Sequence, residues 1–174
     1  MHAALVKPEH EDDFIVLRAV AFTSRVRRAM VRDVLSGEDL AILEWRLLLS
    51  VARFGSCHLA YITRRTSIDP AHGSRAAAAL ERKGLISRAD DPKNKRRKLI
   101  SLTPASIEVF ERVCPRARSV VKTATDQLAA EDFDQLKSLL DLLNRATEPL
   151  LQKPEDRDDR PGLTKMEKIA AASA

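Results

Sequence analysis

LAYITRRTSIDPAHGSRAAAALERKGLISRADDPKNKRRKLISLT, residues 59–103, decides the reading. Asp69-Pro70 starts a helix, because aspartate accepts orphan backbone N–H groups and proline is pre-set for the first helical position. Lys83-Gly84 ends it: a cation suits the negative end of the helix dipole, and glycine tolerates the left-handed turn that closes a helix. A shorter helix over 58–66 precedes it, with Leu59 and Ile62 facing in. Leu85-Ile86 opens a strand, and Asp90-Asp91-Pro92-Lys93-Asn94 is dense in turn formers. Lys98 to Thr103 alternates polar and apolar, as a half-buried return strand does. Two helices joined by a short turn, then a two-stranded ribbon with a cationic tip, describe a winged helix-turn-helix. The usual use of that unit is to lie on double-stranded DNA.

Charge agrees with this placement. The chain of 174 residues carries a net charge of +5, yet residues 56–100 alone hold eleven Lys/Arg against four Asp/Glu, so the remainder is slightly acidic. Concentrated positive charge favours a polyanionic partner. Aromatic residues are only 4% of the chain, so the core must be aliphatic. Cys57 and Cys114 fit no metal-ligand spacing and cannot form a disulfide framework. No apolar run is long enough to span a membrane and no signal peptide is visible, so a reducing cytoplasm is the expected location. No Ser/His/Asp constellation, phosphate loop or carboxylate cluster points to an enzyme, and no metal or cofactor is expected.

The flanks read as helices. Residues 1–12 form a loose arm. A wide apolar face runs from Phe14 to Leu35, with Arg18, Arg25, Arg28 and Arg32 also at helical spacing. After Ser36-Gly37, Leu40 to Phe54 is a second helix closed by Gly55, with Leu43, Leu47, Leu48, Val51 and Ala52 inward and Trp45 a core plug. His58 has no visible partner and reads as an imperfect cap. Thr103-Pro104 starts a long helix with a stripe of Ile107, Phe110, Cys114, Ala117, Val121, Ala124 and Leu128. Glu131 to Gln152 is another, rich in leucine. Two such helices cannot bury both apolar sides on one small winged lobe, so with the first helix they read as a dimerisation module, with Phe14, Leu17, Val121, Leu136, Leu139, Leu140, Leu143 and Leu150 at the interface. The domain thus spans 13–153: a winged unit at about 40–103 and dimerisation helices at about 13–35 and 104–152. The mixed-charge segment 154–174 reads as a disordered tail. The expected class is mainly α with a small β-hairpin wing.

On the winged unit, Pro70, Ala71, His72, Ser74 and Arg75 lie away from the Gly73–Leu80 face, and the N-terminal residues of a recognition helix meet the major groove. Arg75 can bond a guanine edge bidentately and Ser74 a phosphate or base. Arg64 and Arg65 are placed for phosphate. Lys93, Lys95, Arg96 and Arg97 crowd the ribbon tip, where a cationic hairpin can enter a minor groove.

The block from Trp45 to Thr103 resembles the MarR family of bacterial transcriptional regulators. The resemblance rests on a helical run ending in Gly55, an Asp-initiated helix containing Ser74-Arg75, Leu80-Glu-Arg-Lys-Gly84-Leu-Ile, and DDPKNKRRKLISLTPA at 90–105. The last piece is the most specific: the family's wing typically reads Asp-Pro-x-Asp-Arg-Arg, then a strand, then Leu-Thr. Asn94 stands where the second Asp is usual and Lys95 where the first Arg is. This implies a wing tip without the charge-assisted contact of that acid. The resemblance extends through about Gln152. It implies a homodimer on a near-palindromic operator, with Arg75 in the major groove and Lys95 and Arg96 on the wing. It also implies a repressor released by a small, often aromatic, effector held between the dimer helices and the winged lobe, with Arg18, Phe22, Arg25 and Trp45 as pocket residues. Two alternatives stand beside it: a redox-sensing regulator acting through Cys57 or Cys114, and a helical protein-interaction module that does not bind DNA.

Overall fold

The computed structural model describes residues 14–151; the arm 1–12 and the tail 154–174 lie outside them. The element order is α1 (Ile15–Ala29) continued by a π-helical turn (Met30–Leu35), α2 (Ile42–Phe54), β1 (Cys57–His58), α3 (Leu59–Thr66), α4 (Pro70–Arg82), β2 (Ile86–Asp91), β3 (Asn94–Leu102), α5 (Pro104–Thr125) and α6 (Ala130–Thr147), with a last 3₁₀ turn at Glu148–Leu151. The chain is mainly helical with a small antiparallel sheet, as its sequence predicts. The sheet has three strands in the order β1-β3-β2, one more than the ribbon alone. The extra strand pairs Cys57 with Ile100 and His58 with Leu99. Two residues between Gly55 and a helix carry no strand signal of their own; only β3 makes them one.

Local chemistry sets the boundaries of α4. Pro70 occupies its first turn, and Asp69 accepts the His72 amide at 2.9 Å. At the other end Gly84 takes φ +69°. Its amide donates to the Glu81 carbonyl at 2.9 Å and the Leu85 amide to Leu80 at 3.0 Å, the paired bonds of a Schellman closure. Thr103 then donates its hydroxyl to the Gly84 carbonyl at 2.6 Å, so the end of β3 grips the end of α4. A second tie runs from Lys83, whose ammonium donates to Glu44 at 2.8 Å, while Glu44 also accepts the Ala41 amide at the start of α2.

The core is one aliphatic cluster beneath α4: Leu47, Leu48 and Val51 of α2, Ile62 of α3, Ala77 and Leu80 of α4, Ile86 and Ile100 of the sheet, and Val109 and Val113 of α5. Trp45 is buried and its ring lies 5.5 Å from that of Phe110. One expectation needs correction. Ala52 faces solvent rather than the core. On α5 the buried stripe is Ser106, Val109 and Val113, flanked by half-buried Phe110, Cys114 and Ala117, whereas Ile107 and Val121 are exposed. The predicted seam mixed core positions with positions that this chain leaves uncovered.

α1 and α6 bury no residue fully, and among the described residues α6 makes no extensive contact with a helix other than the 3₁₀ turn that follows it. Leu17, Val121, Leu139, Leu140, Leu143 and Leu150 are all exposed, Leu150 by 81%. Phe14 and Leu136 are half-buried.

At Gly73 α4 packs tightly against α3. A Cβ there would stand 2.5 Å from Thr63 Cγ2, which sits on a stiff β-branched side chain. Gly73→Ala gains about 1 kcal/mol of helix propensity but is expected to lose roughly 1–3 kcal/mol to overpacking. Urea denaturation of Gly73→Ala, Thr63→Ser and the double variant checks this. The double variant should recover most of the loss, giving a coupling above about 0.5 kcal/mol.

Candidate nucleic-acid interface and the cavity beside it

α4 has two faces. Gly73, Ala76, Ala77 and Leu80 are buried against α2 and α3; Pro70, Ala71, His72, Ser74 and Arg75 are exposed. The His72 amide on Asp69 holds that carboxyl below the ordinary carboxylate range, so the first turn keeps its cap down to acidic pH. Arg75 therefore projects from the second turn of a helix whose start is pinned and whose back is packed.

The wing is a strand pair in register from Ile86↔Leu102 to Asp90↔Lys98, with an irregularity between Asp90 and Asp91. Lys98 pairs with Asp90 across it. Lys93, Arg96 and Arg97 are exposed, and the Lys95 side chain lies outside the described residues. Asn94 accepts the Arg96 amide at 3.1 Å, so it orders the turn's backbone.

The base of the wing holds a contact that sequence reasoning missed. His58 has a partner after all: its Nε2 lies 3.0 Å from Asp91 Oδ2. An ionised carboxylate only accepts, so Nε2 carries the hydrogen. Asp91 also accepts the Lys93 amide at 2.8 Å. That amide first, and His58 after it, hold the Asp91 carboxyl below its usual range against the opposing effect of burial. His58 occupies the cap position of α3 but makes no side-chain cap bond. The pairing joins residues 33 apart, and only the unforeseen β1 strand brings them together.

Arg64 and Arg65 line a small cleft with Arg53, Ser67 and, from α6, Asp141 and Arg145. They sit in the last turn of α3, on the side of the cleft that α6 also lines.

A larger cavity of about 920 Å³ lies between α1, α2 and α5, with Phe133 of α6 at its edge. Phe22 and Trp45 line it. Arg18 and Arg25 do not; Arg27, Arg46, Arg118 and Lys122 supply its charge instead. On α1, Arg27 lies on the lining side with Thr23 and Val26, whereas Arg18 and Arg25 fall elsewhere on the helix, a distinction that helical spacing alone left open. Cys114 is also on the wall. Cys57 is 1% exposed, and burial pushes its thiol up to about 11, which keeps it protonated and inert at neutral pH. The redox alternative through Cys57 thus lacks the thiolate it needs. Among the described residues no group of three His, Cys, Asp or Glu could hold a metal ion, and no helix is long and apolar enough to cross a membrane.

Residues 38–97 match the sequence profile of the MarR family. An uncharacterized HTH-type transcriptional regulator of Staphylococcus aureus is 23% identical over 124 residues, 71% of this chain and 84% of the relative. A probable transcriptional regulator from Pseudomonas aeruginosa has a crystal structure that superposes with a TM-score of 0.64 at 28% identity, over 76% of this chain and 98% of that one. The Bordetella bronchiseptica protein BpsR, described by the regulation of its DNA binding by 6-hydroxynicotinic acid, superposes with a TM-score of 0.64 at 22% identity over 76% and 98%.

Asp91→Asn is expected to speed hydrogen exchange at the Lys93 amide at neutral pH. The folded carboxylate has a lowered pKa, so its contribution is present above the unfolded value and is lost as pH falls through the folded one. Parent and variant should therefore converge in strong acid. Exchange measured across pH checks this, and a difference that persists there would contradict it.

Proposed function

We propose that the chain is a winged helix-turn-helix transcriptional regulator of the MarR type, and that it acts as a homodimer which holds two copies of α4 in successive major grooves of a near-palindromic operator, represses, and lets go when a small aromatic ligand fills the cavity. The observation that carries the DNA-binding part is the two-faced α4. Its back is buried to the last atom at Ala77 and Leu80, and its exposed face offers Ser74 and Arg75 beside a cationic wing. In this reading Arg75 reads a base edge, while Lys93, Lys95, Arg96 and Arg97 meet backbone or minor groove.

The dimer is supported by what the chain leaves bare. Leu139, Leu140, Leu142 and Leu143 on α6 are each about half exposed, and Ile15, Val16 and Leu17 on α1 more so. Contiguous apolar surface of this extent marks an interface, and a second copy covering both helices places the two reading heads about 34 Å apart, one helical turn of DNA. The effector role is supported by a cavity of about 920 Å³, within the size range of small-molecule sites, with Trp45 and Phe22 on its wall. It is also supported by likeness to BpsR, whose DNA binding responds to an aromatic acid.

A salt titration of binding to genomic fragments tests the reading: affinity should fall steeply with salt. Flat dependence, or no retained fragment, would favour the interaction module. Arg75→Ala is expected to cost roughly 1–3 kcal/mol of specific binding and relax preference at one base position, whereas Arg96→Ala should weaken all sequences alike and reduce the salt slope by about one. Leu139→Asp should convert the dimer to monomer by light scattering and abolish operator binding; a DNA-competent dimer after that change would remove the dimer argument.

A further inference from the structure

One side chain belongs both to the cavity wall and to the helix-turn-helix. Arg46 projects from α2, lines the cavity, and donates from Nη2 to the Thr66 carbonyl at 2.9 Å. Thr66 is the last residue of α3, and its carbonyl is one of the acceptors that a helix end leaves without an intrahelical donor. The next residue, Ser67, takes φ +51°, the only positive φ at a non-glycine among the described residues, and the chain turns there into α4. The guanidinium thus caps α3 at the turn that leads into α4.

The cavity surrounds Arg46 with apolar wall and further cations. Arg27, Arg118 and Lys122 line it, and among the described residues no Asp or Glu does. Such a site favours a ligand with a flat apolar body and an anionic head. A carboxylate forms a charge-assisted bond with guanidinium about twice as strong as a neutral carbonyl does.

We infer that Arg46 is the positioning residue that couples the two sites: an aromatic carboxylate in the cavity draws its guanidinium off the Thr66 carbonyl, uncaps α3 and loosens the turn that aims α4. This rests on the effector cavity proposed above and adds the ligand's charge and the path of its effect. The ligand shifts the equilibrium because it binds the Arg46-released arrangement better than the Arg46-capped one.

The test uses benzoate as probe, benzyl alcohol as its neutral counterpart, and Arg46→Met, which keeps length on an exposed helix position but cannot donate. Emission of Trp45, the single tryptophan, reports cavity occupancy; retention of a genomic fragment selected by the parent protein reports DNA binding. Benzoate should change Trp45 emission and weaken DNA binding of the parent by roughly tenfold, the usual scale of such coupling. Benzyl alcohol should change emission and leave DNA binding intact. Arg46→Met should bind the fragment about as weakly as the benzoate-loaded parent, respond less than about twofold to benzoate, and keep the parental salt slope, since no phosphate contact is lost. The inference is overturned if Arg46→Met still lets go with benzoate, if it binds DNA as tightly as the parent, if its salt slope falls by about one, if benzyl alcohol releases DNA equally well, or if benzoate leaves Trp45 emission unchanged. Failure of the underlying DNA-binding reading shows separately, as a parent protein that retains no fragment without benzoate.

Discussion

The contact between α3 and α4 at Thr63 and Gly73 is the constraint on which the reading head depends. With a Cβ at Gly73 the two helices would collide at 2.5 Å, so glycine at this position sets how close they lie. The alanines that follow continue the same logic: Ala76 and Ala77 are buried because a larger side chain would hold α4 away from α2. Close approach lets Leu80 reach the aliphatic cluster, and burying Leu80 fixes the rotation of α4 about its own axis. Ser74 and Arg75 point outward as a consequence. The helix reads outward because its inner face has no room for anything else.

Around that helix the chain uses polar ties in place of a large core. Lys83 to Glu44, Thr103 to the Gly84 carbonyl, and Arg46 to the Thr66 carbonyl each pin one end of a helix to another element. Asp91 does the same for the wing, holding the turn through the Lys93 amide and the sheet edge through His58. Such ties are directional, so they fix angles that aliphatic packing leaves soft. They also sit where water can reach some of them, which makes them the places where a ligand or a proton can act.

The helices at the chain's two ends behave differently. α1 and α6 carry regular apolar stripes but bury nothing fully, while the winged lobe is closed by its own residues. The chain exposes leucine on surfaces that its own described residues do not cover, and the cavity beside α1 sits at the junction of the two regimes. Its wall is shared by the helix that carries Trp45 and by the helices that carry the exposed stripes. A molecule lodged there touches both.

Much of this was legible from residue order. Asp69-Pro70, Lys83-Gly84 and the turn formers at 90–94 act through their own backbone, so the recognition helix and wing could be placed from local chemistry. The outward set on α4 followed from helical spacing, because small and large residues alternate there with the period of the helix. What depended on contacts between distant segments was not legible. β1 exists only because β3 pairs with it, and His58 finds Asp91 only because β1 exists. Arg18 and Arg25 share helical spacing with other arginines of α1, and which of them faces a cavity is decided by where α5 lies. On α5, Ile107 and Val109 are both apolar, and only the surface each meets makes one core and the other bare. Apart from β1, sequence determined which segments are helix, strand and turn, since those are choices of the local backbone. Tertiary structure alone decided which polar groups meet, since that depends on bringing residues 20 and 33 positions apart within 3 Å of each other.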